Sequence, residues 1–124
     1  MMTGEARQAA FEEIRQFALS LPQAEEDFPW GERVFKVNKK IFVFFGSNSD
    51  DPNIERYVGV KLPYSGDAVL NLPFATAMGY NLGKHGWVSL RFPPDEMPPV
   101  SLIRDWITES YRAIAPKKLL VLLG

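Results

Sequence analysis

Apolar residues recur at helical spacing near both ends of the chain and at a spacing of two in between. Ala10, Ile14, Phe17, Ala18 and Leu21 form one stripe, with Glu12, Glu13, Arg15 and Gln16 facing out, which predicts an amphipathic helix over Thr3–Ser20. Thr3 suits its cap, and Glu5 suits the positive end of the helix dipole. Leu21-Pro22 stops it, because a residue before proline is pushed out of the α region. A second stripe, Val100, Ile103, Ile107, Tyr111 and Ile114 with Trp106 on its flank, predicts a long helix that ends before Pro116. Lys117–Leu123 reads as a final apolar turn.

Between the helices the pattern is that of strands. Arg33–Val37 and Ile41–Phe45 flank Asn38-Lys39-Lys40, and asparagine accepts left-handed geometry. A two-residue turn at Asn38-Lys39 would therefore pair Phe35–Val37 antiparallel with Ile41–Val43. The second arm is apolar throughout, which predicts a central strand covered on both sides. In Glu55–Leu62, alternation puts Tyr57, Gly59 and Lys61 opposite Val58, Val60 and Leu62. In Trp87–Phe92 it puts Trp87, Ser89 and Arg91 opposite Val88, Leu90 and Phe92. Weaker elements are a short helix from Ser65 to Leu70, a strand over Thr76–Tyr80 and a glycine-rich turn over Asn81–Gly86. Ser47–Asn53 reads as a polar loop and Pro93–Pro99 as a break. Glu25-Glu26-Asp27 reads as a solvated acidic run, after which Phe28-Pro29-Trp30-Gly31 turns the chain and wedges Phe28 and Trp30 into the core. The expected core is Phe17, Phe42, Phe44, Val60, Leu90, Ile103 and Ile107. The whole is an α+β fold, a mostly antiparallel sheet flanked by an N-terminal and a C-terminal helix.

Length and composition narrow the class. At 124 residues the chain is expected to form one domain, residues 1–124, large enough for a proper core. It has no cysteine, so disulfides, thiolate metal sites and cysteine nucleophiles are excluded. No apolar run approaches a membrane span of roughly 20 residues. Met1-Met2-Thr3-Gly4-Glu5 does not resemble a signal peptide, so the expected location is cytoplasmic.

Net charge is −1, but its distribution is uneven. Residues 1–32 carry −5, residues 33–92 carry +4, and the remainder balances. A basic sheet beside an acidic helix is either a binding face or two elements that pair with each other.

The catalytic signals are thin. His85 is the only histidine and has no obvious acidic neighbour, so an exposed turn residue is the reading favoured over acid–base work. Asp50-Asp51 and Glu25-Glu26-Asp27 lack histidine partners, and Gly79, Gly83 and Gly86 match no phosphate-loop spacing. The expectation is a noncatalytic domain without metal or cofactor. One constellation remains: Lys36, Tyr57, Lys61, Trp87, Ser89 and Arg91 on strands, with Lys39, Lys40, Lys84 and His85 at turns. Arg56 and Trp30 complete the candidate set. Cations interleaved with aromatics suit nucleic acid, since phosphates meet lysines and bases stack on rings. The alternative is an amphipathic sheet whose lysines stay wet while Trp87 packs under a helix.

The order of elements resembles the small bacterial MmcQ/YjbR family. So do Leu21-Pro22, the acidic elbow, Phe35-Lys36-Val37 with Lys40 and Phe42, Lys61-Leu62, Lys84-His85-Gly86-Trp87 and Ser110-Tyr111. The resemblance runs from about Phe17 to Leu119. It implies an α+β fold with a double-wing motif, a shape on which DNA binding has been predicted, and it carries the family's recurring basic and aromatic places onto Lys36, Lys40, Lys61, Lys84 and Trp87. Lys39 stands where a turn glycine is expected, and Gly86 separates His85 from Trp87. The expected partner is duplex DNA, held weakly by its backbone. The alternative is a protein or anionic small molecule in a cleft lined by Trp87, Tyr57, His85 and Trp30.

Overall fold

The computed structural model describes residues 4–46, 54–79 and 81–123, the Trp30 side chain excepted. The elements expected of Thr3, Ser47–Asn53 and Tyr80 lie outside them. Helix α1 spans Gly4–Ser20 and α3 spans Val100–Ile114. Between them run β1 (Glu25–Asp27), β2 (Arg33–Val37), β3 (Lys40–Phe45), β4 (Arg56–Lys61), α2 (Gly66–Val69), β5 (Ala75–Ala77) and β6 (Trp87–Phe92). A last turn of helix, α4, covers Lys117–Leu120. The strands form one antiparallel sheet in the order β1-β2-β3-β4-β6-β5.

The hairpin forms as the sequence predicts. Asn38 and Lys39 both have positive φ, 52° and 68°, the geometry of a two-residue turn whose twist matches the strands it joins. Val37 pairs with Lys40, Lys36 with Ile41 and Phe35 with Val43. The register slips between Phe35 and Lys36, and Phe42 is the extra residue. This bulge decides the faces of β3. It turns Phe42 towards α3, where its ring meets Tyr111 edge-on at 5.3 Å.

Beyond the bulge Val43 and Phe45 stay on the helix side, with Phe45 packed against Phe11 of α1 at 6.3 Å. Phe44 goes to the opposite face, beside Trp87 at 5.3 Å. The two long helices therefore cover one face, not both, and the unbroken apolar run of β3 reflects its bulge.

The core on the helix side contains Phe42, Val60, Leu90, Ile103 and Ile107, all fully buried. Phe17 and Phe44 are only partly buried, and Trp106, expected on the flank of its stripe, is buried with its ring 6.3 Å from that of Phe74. Phe28 is exposed rather than wedged inward.

Glu25 and Asp27 of the acidic run are exposed as expected, but the run is not an unpaired loop. Glu25–Asp27 is an edge strand paired with Val34–Lys36, and Glu26 accepts from Arg15 of α1 at 2.9 Å. Its other neighbour is Arg33, at 3.0 Å. Two of the three carboxylates, Glu26 and Asp27, pair with Arg33 and Lys36 of the neighbouring strand, a cross-strand charge pairing that propensity alone does not reveal.

Candidate functional site

Phe35, Val43, Val60 and Val88 face one another across four adjacent strands. On one side of this row lie the hairpin tip with Lys39 and Lys40, the end of β4 with Lys61, and the 3₁₀ turn Leu82–His85 with Lys84 and His85. The Leu62 amide donates to the Gly86 carbonyl at 2.8 Å, which holds that turn against the end of β4. Gly86 has a φ of 85°, a left-handed conformation that glycine adopts without strain and that closes the turn. Lys39, Lys40, Lys84 and His85 are exposed and Lys61 is half-buried. Among the described residues, none of the four lysines has a carboxylate within ion-pair distance.

Other basic residues of the sheet are paired or buried. Lys36 Nζ lies 2.7 Å from Asp27 Oδ2, and that hydrogen bond, with a second from the Phe28 amide, holds the Asp27 carboxyl below its ordinary range. Arg91 meets Glu55 at 3.0 Å. Of the two sequence alternatives for the charge split, Arg15, Arg33 and Lys36 follow the second, acid pairing with base.

Arg56 departs furthest from expectation. It is 8% exposed, under α1, with its guanidinium 4.5 Å from the Phe11 ring centroid and 5.4 Å from that of Phe45. Its Nε has no hydrogen-bond partner among the described residues. Burial, and then the positive charges of Arg7 and Arg33, lower its pKa. It belongs to the interior, where its guanidinium lies over two aromatic faces. Arg7, also buried, donates to the carbonyls of Phe92 at 2.8 Å, Pro93 at 3.1 Å and Glu96 at 2.7 Å.

Register places Tyr57 opposite Arg91, Gly59 opposite Ser89 and Lys61 opposite Trp87, so these residues share the sheet face the alternation predicts. The aromatics there are already occupied. Trp87 is 7% exposed and edge-on to Phe44. The Tyr57 ring covers Gly46, where any Cβ would collide with it. The Tyr57 hydroxyl donates to Glu32 at 2.9 Å. Burial, then that hydrogen bond and the Glu32 charge, push the Tyr57 phenol up to about 12.

The most exposed aromatic among the described residues is one the sequence analysis did not single out. Tyr64 is 91% exposed on the loop after β4. It borders a cavity of about 700 Å³ with Lys61, Asp105, Glu109, Arg112 and Leu120, and Trp87 is not among its walls. Glu109 of α3 fixes the loop, accepting from the Tyr64 amide at 3.0 Å, the Ser65 amide at 3.0 Å and the Ser65 hydroxyl at 2.6 Å. The available signal was an aromatic residue just after a strand-ending proline, outside every apolar stripe.

Among the described residues, no helix is long and apolar enough to cross a membrane, and no three potential ligand side chains gather as a metal site. No curated protein matches the chain at a significant level. A family model does: the YjbR model covers residues 19–113, which takes in the whole sheet and all of α3 but its last residue. The chain belongs to the YjbR family.

Proposed function

We propose that this domain is a noncatalytic binding module that takes a polyanion, duplex DNA by its phosphate backbone, on the lysine-bearing end of its sheet. The observation that supports it is the separation of the cations. Lys39, Lys40, Lys61 and Lys84 lie at one end of the sheet with no ion-pair partner among the described residues, whereas Arg33, Lys36 and Arg91 meet carboxylates. Lysines that meet phosphate displace the counterions condensed on the DNA, and that release supplies sequence-independent affinity. The binding surface is then the hairpin tip and the adjoining turn, rather than the full basic face with Lys36, Arg56 and Arg91.

With a net charge of −1, the affinity is modest. Fluorescence anisotropy of a labelled duplex should show micromolar or weaker binding that fades between about 50 and 200 mM salt. Replacing Lys39 and Lys40 by glutamate should abolish it while thermal melting stays unchanged. Absence of binding by the wild type at low salt, or binding indifferent to the charge reversal, would remove this reading.

A further inference from the structure

We infer that the cavity beside Tyr64 is a stacking subsite for an unpaired nucleobase, so that the domain prefers single-stranded DNA to duplex. This inference rests on the polyanion reading above and adds the part of the ligand that phosphate contacts cannot specify.

Tyr64 is 91% exposed, although a tyrosine ring ordinarily buries much of its surface. Its loop is nevertheless held in place, because the Glu109 carboxylate accepts three hydrogen bonds from Tyr64 and Ser65. A ring fixed at its backbone and open on its face is a platform already arranged for stacking.

The cavity walls suit a base better than a phosphate. Asp105 and Glu109 stand on the same walls as Lys61 and Arg112, without an ion pair to Lys61 among the described residues, so the cavity as a whole has little net charge to draw an anion into it. It does offer donors, an acceptor at Asp105, and the apolar side of Leu120. A nucleobase is neutral, flat and rich in both donors and acceptors.

The phosphates have their own neighbours. Lys61 precedes Tyr64 by three residues, and the Leu62–Gly86 hydrogen bond sets the turn carrying Lys84 and His85 beside the same loop. A strand whose backbone runs along these lysines therefore passes the mouth of the cavity. A base inside a duplex remains stacked and paired and does not reach such a platform without being flipped out, whereas a single strand presents its bases freely.

The test is anisotropy at low salt with a labelled mixed-sequence single strand and its duplex, using the wild type, Tyr64→Ala and Tyr64→Trp. The wild type should bind the single strand about tenfold more tightly, the effect of stacking one base on an aromatic ring. Tyr64→Ala should bring the single strand to the duplex level and leave duplex binding unchanged, while Tyr64→Trp retains the preference. Circular dichroism melts of both variants should match the wild type, given the exposure of the position. Equal binding of the two DNA forms by the wild type, or a single-strand preference that survives Tyr64→Ala, would overturn the subsite and leave the lysine-end reading standing. Failure of the wild type to bind either form would overturn both.

Discussion

The Ser110 hydroxyl of α3 donates to the Phe42 carbonyl at 2.6 Å, at the point where β3 and β4 stop pairing. The same oxygen accepts from the Lys61 amide at 2.8 Å. Val43 with Val60 is the last β3–β4 pair, and the next two backbone groups are bridged through the side chain of the helix. Ser110 thus closes the sheet just beneath the lysine end.

Replacing Ser110 by alanine should leave both groups without a partner in a site that is fully buried at Ser110. The expected cost is about 1–3 kcal/mol, the penalty for unsatisfied buried polar groups. Urea unfolding measures it. A variant that unfolds with the wild type would mean that water reaches both groups.

Phe42→Ala should be more damaging. The ring is fully buried and packs edge-on against Tyr111, so its loss opens a cavity between sheet and helix. A loss of about 3–5 kcal/mol is expected for a core phenylalanine. Equal melting temperatures would place the packing centre elsewhere.

Arg56→Met separates the interior arginine from the binding surface. Arg56 is desolvated and, among the described residues, has no carboxylate partner in an ion pair, so an apolar replacement of similar length recovers desolvation energy while losing its contacts with the Phe11 and Phe45 rings. Stability should stay within about 1 kcal/mol of the wild type or rise, as seen when buried charges give way to hydrophobic residues. DNA affinity should not change. A marked loss of affinity in a stably folded variant would return Arg56 to the interface.

Tyr57 makes alkaline stability a test of the open sheet face. Its folded pKa, about 12, lies above the ordinary 10.0, so the folded state holds the phenolic proton more tightly than the unfolded chain. The stability this contributes is complete below pH 10.0 and is lost as pH rises towards about 12. Denaturant midpoints of the wild type should fall across that window, and Tyr57→Phe should flatten the fall. Burial raises the Tyr111 phenol as well, so phenolate absorbance should show more than one late-titrating tyrosine, and their number should fall by one in the variant.

The sequence alone determined the α+β class, both long helices, the hairpin with its turn at Asn38-Lys39, and the alternation of β4 and β6. These are local properties, set by apolar period, by proline and by the one residue type that accepts left-handed geometry where the turn begins. Tertiary structure decided which cations are free. Lys36 and Lys39 look alike in sequence, yet one meets Asp27 of β1 and the other is exposed at a turn with no ion pair among the described residues. Alternation sets Arg56 on the face of Val58 and Val60, but only the packing of α1 over Phe45 shows that this face is buried as far as the first residue of the strand. The bulge at Phe42 redirected β3 from two covered faces to one. Tyr64 became conspicuous only once Glu109, 44 residues from Ser65, was seen to hold its loop. Pairing of charges and exposure of a ring depend on neighbours distant in sequence, and the fold brings those neighbours together.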